Sequence, residues 1–198
     1  KGKVIKRGIM FSHKIDDDIT LRLLEERHAE EVFSLLEKNR NHLQDELTWL
    51  TDQLSVNDAK EYIKAGLERF AANNGLRAGV WLQDNLAGIV SVHGLVWDDR
   101  KASLGYWLGS SFQGRGLVTK SCSSLIAYAF SKLKLNRLEI QCDSENDRSR
   151  KVAERLGFTQ EGILRQSWWS KERFADLVVY GLLSSEWQGG KPYTPLFT

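Results

Sequence analysis

The stretch Tyr106-Trp107-Leu108-Gly109-Ser110-Ser111-Phe112-Gln113-Gly114-Arg115-Gly116-Leu117-Val118-Thr119 constrains the fold more than any other part of this chain. Before it the residues have strand character. After it, Val118, Cys122, Leu125, Ile126, Ala129, Phe130 and Leu133 recur at the spacing of one helix face, which predicts a long helix over Leu117 to Leu133. The chain therefore leaves a sheet and enters a helix through a turn rich in glycine. Glycine lets the backbone come close to a ligand. Unpaired amides at the helix start, with the positive end of the helix dipole, suit a pyrophosphate. A plain Gly-rich turn is the alternative reading. A dinucleotide fingerprint would need glycine at Thr119, and a P-loop would need Gly-Lys-Ser/Thr, which occurs nowhere, so both are excluded.

The rest of the chain can be ordered around that turn. Ile19 to Leu24 reads as a strand, and Glu25 to Asn39 as a helix with Ala29, Val32, Phe33, Leu35 and Leu36 on one face. Ser55 and Asp58 form a cap signal for a second helix, with Ala59, Tyr62, Ile63, Leu67 and Phe70 as its apolar face and Asn73-Asn74-Gly75 as its end. Arg77 to Gln83, Leu86 to Val96 and Lys101 to Gly109 read as an antiparallel meander. Beyond the long helix come a strand (Arg137 to Cys142), a helix (Asp147 to Leu156) and two strands (Phe158 to Trp168, Phe174 to Leu183). This order predicts an α/β domain with a mixed sheet flanked by helices.

With 198 residues, 41% hydrophobic and 27% charged, a single domain over 16–188 is expected. Residues 1–15 are read as an N-terminal arm or added segment, with Met10, the only methionine, as the natural start, and 189–198 as a tail. Lys plus Arg number 28 against 26 Asp plus Glu, a net charge of +2, which argues against a strongly basic nucleic-acid module. Stretches free of charge, such as Ala102 to Gly114, fall short of the ~18 residues that span a bilayer. Lys1 to Ile9 lacks the apolar core of a secretory signal. Cys122 and Cys142 have neither metal-ligand nor CxxC spacing and read as reduced core cysteines. A cytoplasmic protein without a metal, a membrane or a direct nucleic-acid partner is expected.

Gln113-Gly114-Arg115-Gly116-Leu117-Val118-Thr119 resembles the acyl-CoA loop Q/R-x-x-G-x-G/A of the GNAT acetyltransferase superfamily. Gln113 and Gly116 match, while Val118 departs at the last position, where one branch has larger residues followed by Thr. Asn146-Asp147-Arg148-Ser149, opening a helix that ends in Leu156-Gly157-Phe158 and is followed by Glu161-Gly162, is similar to the segment that sets an Asn and a small residue beside the pantetheine. With Gly105-Tyr106-Trp107 and the element order, the resemblance covers Ile19 to Trp187 and is nearest to the branch that acetylates N-termini of ribosomal proteins. It implies a GNAT-type three-layer sandwich and acetyl-CoA as cofactor. Tyr106, Trp107, Leu108, Gln113, Gly114, Arg115, Gly116, Leu117, Val118, Thr119, Asn146, Arg148 and Ser149 are the positions it assigns to that cofactor. The pantetheine would lie along Leu104 to Leu108 where this strand splays from Arg137 to Cys142, and the acetyl carbonyl would meet backbone N–H groups near Trp107 and Leu108.

In this scheme an amine attacks the thioester directly, so no enzyme nucleophile is needed. The tyrosine that many members carry seven residues after the Asn is Ala153 here, and Ser149 is the substitute proton donor. The alternative is a helix-start Ser bonding its local backbone. Relatives often carry a carboxylate at the position of Ser103, so the candidate bases are His93 and Glu161, with Asp143 third. A packed histidine and a turn carboxylate are the alternatives. An α-amine of pKa ~8 is roughly 10% neutral at pH 7, whereas a lysine of pKa ~10.4 is neutral about once in a few thousand molecules, a difference of about 3 kcal/mol. A site without a strong base therefore suits the N-terminal α-amine of a (ribosomal) protein. Small amines (polyamine, amino sugar, aminoglycoside), an inactive CoA- or peptide-binding module, and RNA binding through Lys1 to Arg7 are the rivals. Arg148, Arg150, Lys151 and Arg155 read as a phosphate-attracting cluster or a solvated face, and Trp49 and Trp168 as walls of an acceptor cleft. Relatives of this branch are often homodimers.

Overall fold

The computed structural model describes residues 12–188 apart from 45, 48, 51, 52, 171 and 172. Its strands are β1 (Ser12–Lys14), β2 (Ile19–Leu23), β3 (Gly75–Leu82), β4 (Asn85–Val96), β5 (Lys101–Leu108), β6 (Arg137–Asp143), β7 (Thr159–Ser170) and β8 (Arg173–Leu183). They form one sheet in the order β1-β2-β3-β4-β5-β6-β8-β7. Every pairing is antiparallel except β5 with β6, which is parallel and holds the two halves together.

Alternation along the strands divides the core in two. Trp81, Ile89 and Trp107 point to one face and are covered by α1 (Ala29–Lys38), α2 (Arg40–Leu43) and α3 (Val56–Ala71). Val80, Val90 and Leu104 point to the other and are covered by α4 (Leu117–Ser131) and α5 (Asp147–Arg155). A sheet with apolar side chains on both faces must be covered twice, and three layers result. In α1 the buried residues Ala29, Val32, Leu35 and Leu36 keep helical spacing. The expected cap of α3 is present: Ser55 Oγ accepts from the Asp58 N–H, and the Ser55 N–H donates to Asp58 Oδ2 at 2.8 Å.

Two elements were not expected. Ser12–Lys14 pairs with β2 (Ser12↔Arg22, Lys14↔Thr20), so the arm expected over 1–15 is sheet in its last part. A three-residue polar strand carries no pattern of its own; the free edge of β2 makes it a strand. The four-residue α2 is likewise too short to show a period. Met10, Lys1 to Arg7 and the tail 189–198 lie outside the described residues. Among the described residues no helix is long and apolar enough to cross a membrane.

The feature that positions the site is a failure of pairing. β5 and β6 are in register only at Lys101↔Arg137, Ala102↔Leu138 and Ser103↔Glu139. Beyond these, β5 runs to Leu108 and β6 to Asp143 without a partner between them, so backbone N–H and C=O groups face an opening in the middle of the sheet.

Candidate active site

Two cavities meet at that opening. The first, about 640 Å³, is lined by Ser91, His93, Gly105, Gln141 and Trp168 among others. The second, about 560 Å³, runs between the glycine turn and the start of α5, with Gln113, Gly114, Gly116, Thr119, Lys151 and Arg155 on its walls. His42, Glu46, Tyr106, Trp107, Asn146, Arg148 and Ser149 line both, so the two form one cleft through the sheet.

The second cavity has the features of a phosphate site. Gly114 and Gly116 have φ of +74° and +72°, and a Cβ on either would project into space with no atom within 4 Å. Gly116 is the N-cap of α4 and offers no side-chain cap, so the first amides of this helix are left for a ligand. The turn is anchored from α1. Buried Asn39 accepts from the Ser110 N–H (2.8 Å) and hydroxyl (2.9 Å) while donating to the Leu35 carbonyl (2.8 Å). Arg148, Lys151 and Arg155 add positive charge on the far wall. These residues fit the diphosphate of acetyl-CoA, and the unpaired edges of β5 and β6 fit an amide-bearing pantetheine arm. Arg150 of the expected cluster does not join them, since it reaches Tyr180 Oη (3.3 Å) and the Ser144 carbonyl. Arg115, in the middle of the turn, is exposed and lines neither cavity. Gln113 bridges the cleft: its Oε1 accepts from Arg148 Nη1 (2.9 Å) and its Nε2 lies 2.6 Å from His42 Nε2.

At the junction, Asn146 Oδ1 caps α5 by accepting from the Ser149 N–H (3.0 Å). Ser149 Oγ lies 2.9 Å from Tyr106 Oη, which also reaches the Ser149 carbonyl (3.2 Å). Burial pushes the Tyr106 phenol far above its ordinary value, and burial also raises the neighbouring Cys142 thiol. Tyr106 and Ser149 thus form a hydrogen-bonded pair of neutral hydroxyls beside the opening, each with a proton to offer a thiolate.

His93 lies on the other side of the opening. It shares the Ile89-Ser91 face of β4, toward α3, whereas Tyr106 faces α5. Its Nδ1 is 3.3 Å from Ser91 Oγ, and a Cβ at Gly105 would come within 3.0 Å of His93 Cε1, so glycine there makes room for the ring. Burial, then the charges of Arg69 and Arg77, lower its pKa below 6.5, leaving a neutral imidazole at pH 7.

Glu161, the other expected base, is elsewhere. Its carboxylate forms a bidentate pair with Arg137, at the opposite end of β6 from the cleft, and this cation holds its pKa below the ordinary value. β7 is separated from β6 by β8, and Glu161 falls at the bulge between Gln160 and Gly162, so a whole strand stands between it and the opening. Asp143 lines the first cavity but is bound by Arg173 (3.2 Å). Trp168 lines the first cavity, and Trp49 stacks on Tyr62, which lines it (centroids 4.5 Å apart, 21° between planes). Arg77 covers the Tyr62 ring at 3.7 Å. His42, Glu46, Tyr62 and Cys142 were not anticipated. His42 and Glu46 come from the α2 region, where no periodicity announces a site.

The acetyltransferase (GNAT) domain family matches residues 18–159. The chain is 39% identical over 183 residues to YdaF of Bacillus subtilis (strain 168), provisionally named a ribosomal N-acetyltransferase, with 92% of this chain and 100% of that one covered. It is 27% identical over 167 residues to the ribosomal-protein-serine acetyltransferase of Escherichia coli (strain K12), covering 84% and 93%. Among solved structures, RimL, a ribosomal L7/L12 alpha-N-protein acetyltransferase in complex with coenzyme A, has a TM-score of 0.84 at 25% identity, over 87% of this chain and 97% of that one.

Proposed function

Because the chain belongs to the GNAT acetyltransferase family, whose members use acetyl-CoA, we propose that it acetylates the N-terminal α-amine of a protein, with a ribosomal protein as the expected acceptor. The observation that carries this reading is the chemistry of the cleft: the proton acceptor and donors flanking the opening, His93 on one face and Ser149 with Tyr106 on the other, are neutral groups. A neutral imidazole can take the proton of an α-ammonium of pKa ~8, and is roughly two units further from a lysine ammonium at ~10.4. The aromatic walls, Trp168 and Tyr62, leave the first cavity wide enough for a chain end.

Acetyl-CoA supplies a thioester whose carbonyl carbon is open to attack by a neutral amine. The residues of this chain divide the remaining work. The glycine turn, Arg148, Lys151 and Arg155 hold the diphosphate, and the free edges of β5 and β6 align the arm. Backbone N–H groups near Trp107 and Leu108 bind the carbonyl oxygen. His93 accepts the amine proton, and Ser149 passes a proton to the departing sulfur, backed by Tyr106.

Release of free thiol from acetyl-CoA tests the acceptor, using Ser-, Thr- and Ala-starting peptides, N-terminally blocked lysine peptides, spermidine and an aminoglycoside. Turnover is expected on free N-termini; turnover confined to the small amines would replace this reading with metabolite acetylation. The base has its own signature. The acid limb of kcat/KM is expected below pH 6.5, because the surroundings of His93 lower its pKa. A His93→Gln variant should lose that limb and about 100-fold in kcat/KM. An unchanged pH profile would assign the proton transfer to another group.

A further inference from the structure

Four carboxylates line the first cavity: Glu46, Asp143, Glu145 and Asp147. Arg173 pairs with Asp143 (3.2 Å) and Glu145 (2.6 Å), and Arg150 lies 3.8 Å from Asp147. Among the described residues, no cation lies within ion-pair distance of Glu46. It is also the one of the four that lines both cavities, which places it where the cofactor channel opens into the acceptor chamber. Among the described residues its side-chain partner is Asn146, whose Nδ2 donates to Glu46 Oε1 at 3.0 Å. Among the described residues the second carboxylate oxygen has no hydrogen-bond partner. The polar and titratable groups that line the junction with it are His42 from α2, Tyr106 from β5, and Asn146, Arg148 and Ser149 from the α5 region, with Cys142 of β6 on the acceptor side.

The geometry points to Glu46 as the residue that docks the acceptor: its carboxylate binds the incoming amine as an ammonium ion at the junction, beside the Ser149–Tyr106 pair. Asn146 holds one oxygen of Glu46 and caps α5 with its own Oδ1, so the docking group and the proton donor share one support. The ammonium, held by Glu46 at the mouth of the acceptor chamber that His93 also lines, gives its proton to the neutral imidazole; the nitrogen lone pair then forms the C–N bond as the thioester C–S bond breaks and the sulfur takes the proton of Ser149. Glu46 therefore favours acceptors that are charged in solution over neutral nucleophiles. This inference rests on the acceptor being an amine, as proposed above.

The test compares Glu46→Gln with the wild type. Glutamine keeps an oxygen for Asn146 and removes the charge. With a Ser-starting peptide, KM for the peptide should rise about tenfold at pH 7, where the α-amine is roughly 90% protonated, while KM for acetyl-CoA stays within twofold. At pH 9.5, where that amine is mostly neutral, the two enzymes should converge to within about twofold. Equal peptide KM values at pH 7, with loss only in Glu46→Ala, would make Glu46 a strut for Asn146 and overturn the proposal. A tenfold difference that persists unchanged at pH 9.5 would overturn it as well. Failure of the wild type to turn over any free N-terminus would instead refute the acceptor reading alone. The same comparison then runs on spermidine, which is charged at pH 7, and again decides the role of Glu46.

Discussion

Gly116→Ala is expected to weaken acetyl-CoA binding on the order of 100-fold while the protein still folds. Two effects act together. The residue has φ +72°, where a Cβ costs roughly 1–2 kcal/mol, and the added methyl would sit on the N-cap of α4, a residue that lines the second cavity. Charge-assisted hydrogen bonds to a phosphate are worth about 1.5–3 kcal/mol each, so losing one or two accounts for a loss of that order. Gly94 provides the control, since it has φ +62° and an equally open Cβ direction but lines neither cavity. Gly94→Ala should lose similar stability in urea and no acetyl-CoA affinity by calorimetry. Equal affinities in both variants would remove the turn from the cofactor site.

Ser149→Ala and Tyr106→Phe should each lower kcat about 100-fold, with KM for acetyl-CoA changed little, as expected for a proton donor rather than a binding group. The double variant should be no slower than the slower single variant, because the two hydroxyls, 2.9 Å apart, act as one donor. Burial raises the Tyr106 pKa, so its proton is retained throughout the working range, and kcat should show no alkaline loss from this group up to pH 10. Full activity in Ser149→Ala would reduce Ser149 to a helix-start residue. The structure already separates these roles in part, since Asn146 rather than the Ser149 hydroxyl caps the helix.

The cofactor half of the cleft was more legible in the sequence than the acceptor half. Gly114, Gly116, Asn146 and Ser149 are informative because their neighbours in the chain are their neighbours in space: a turn, a cap and a helix start are built within a few residues. Glu161 shows the opposite case. As a carboxylate after a Gly-Phe turn it resembles a catalytic candidate, but sheet order places its strand beyond β8, and from the bulge between Gln160 and Gly162 it reaches Arg137 instead of the opening. Glu46 and His42 carried no signal, since a four-residue helix has no period and their importance comes from residues about one hundred positions away in the case of Asn146 and Glu46.

The amino-acid order by itself determined the α/β alternation, the two-sided apolar sheet, the capped start of α3 and the glycine entry into α4, all set by backbone preference and hydrophobic period over short windows. Only the tertiary structure decided where β5 and β6 part, which face His93 and Tyr106 occupy, and which carboxylate reaches the junction. Those outcomes depend on register and packing between segments far apart in the chain, and no local propensity encodes the distance between two strands that cease to pair.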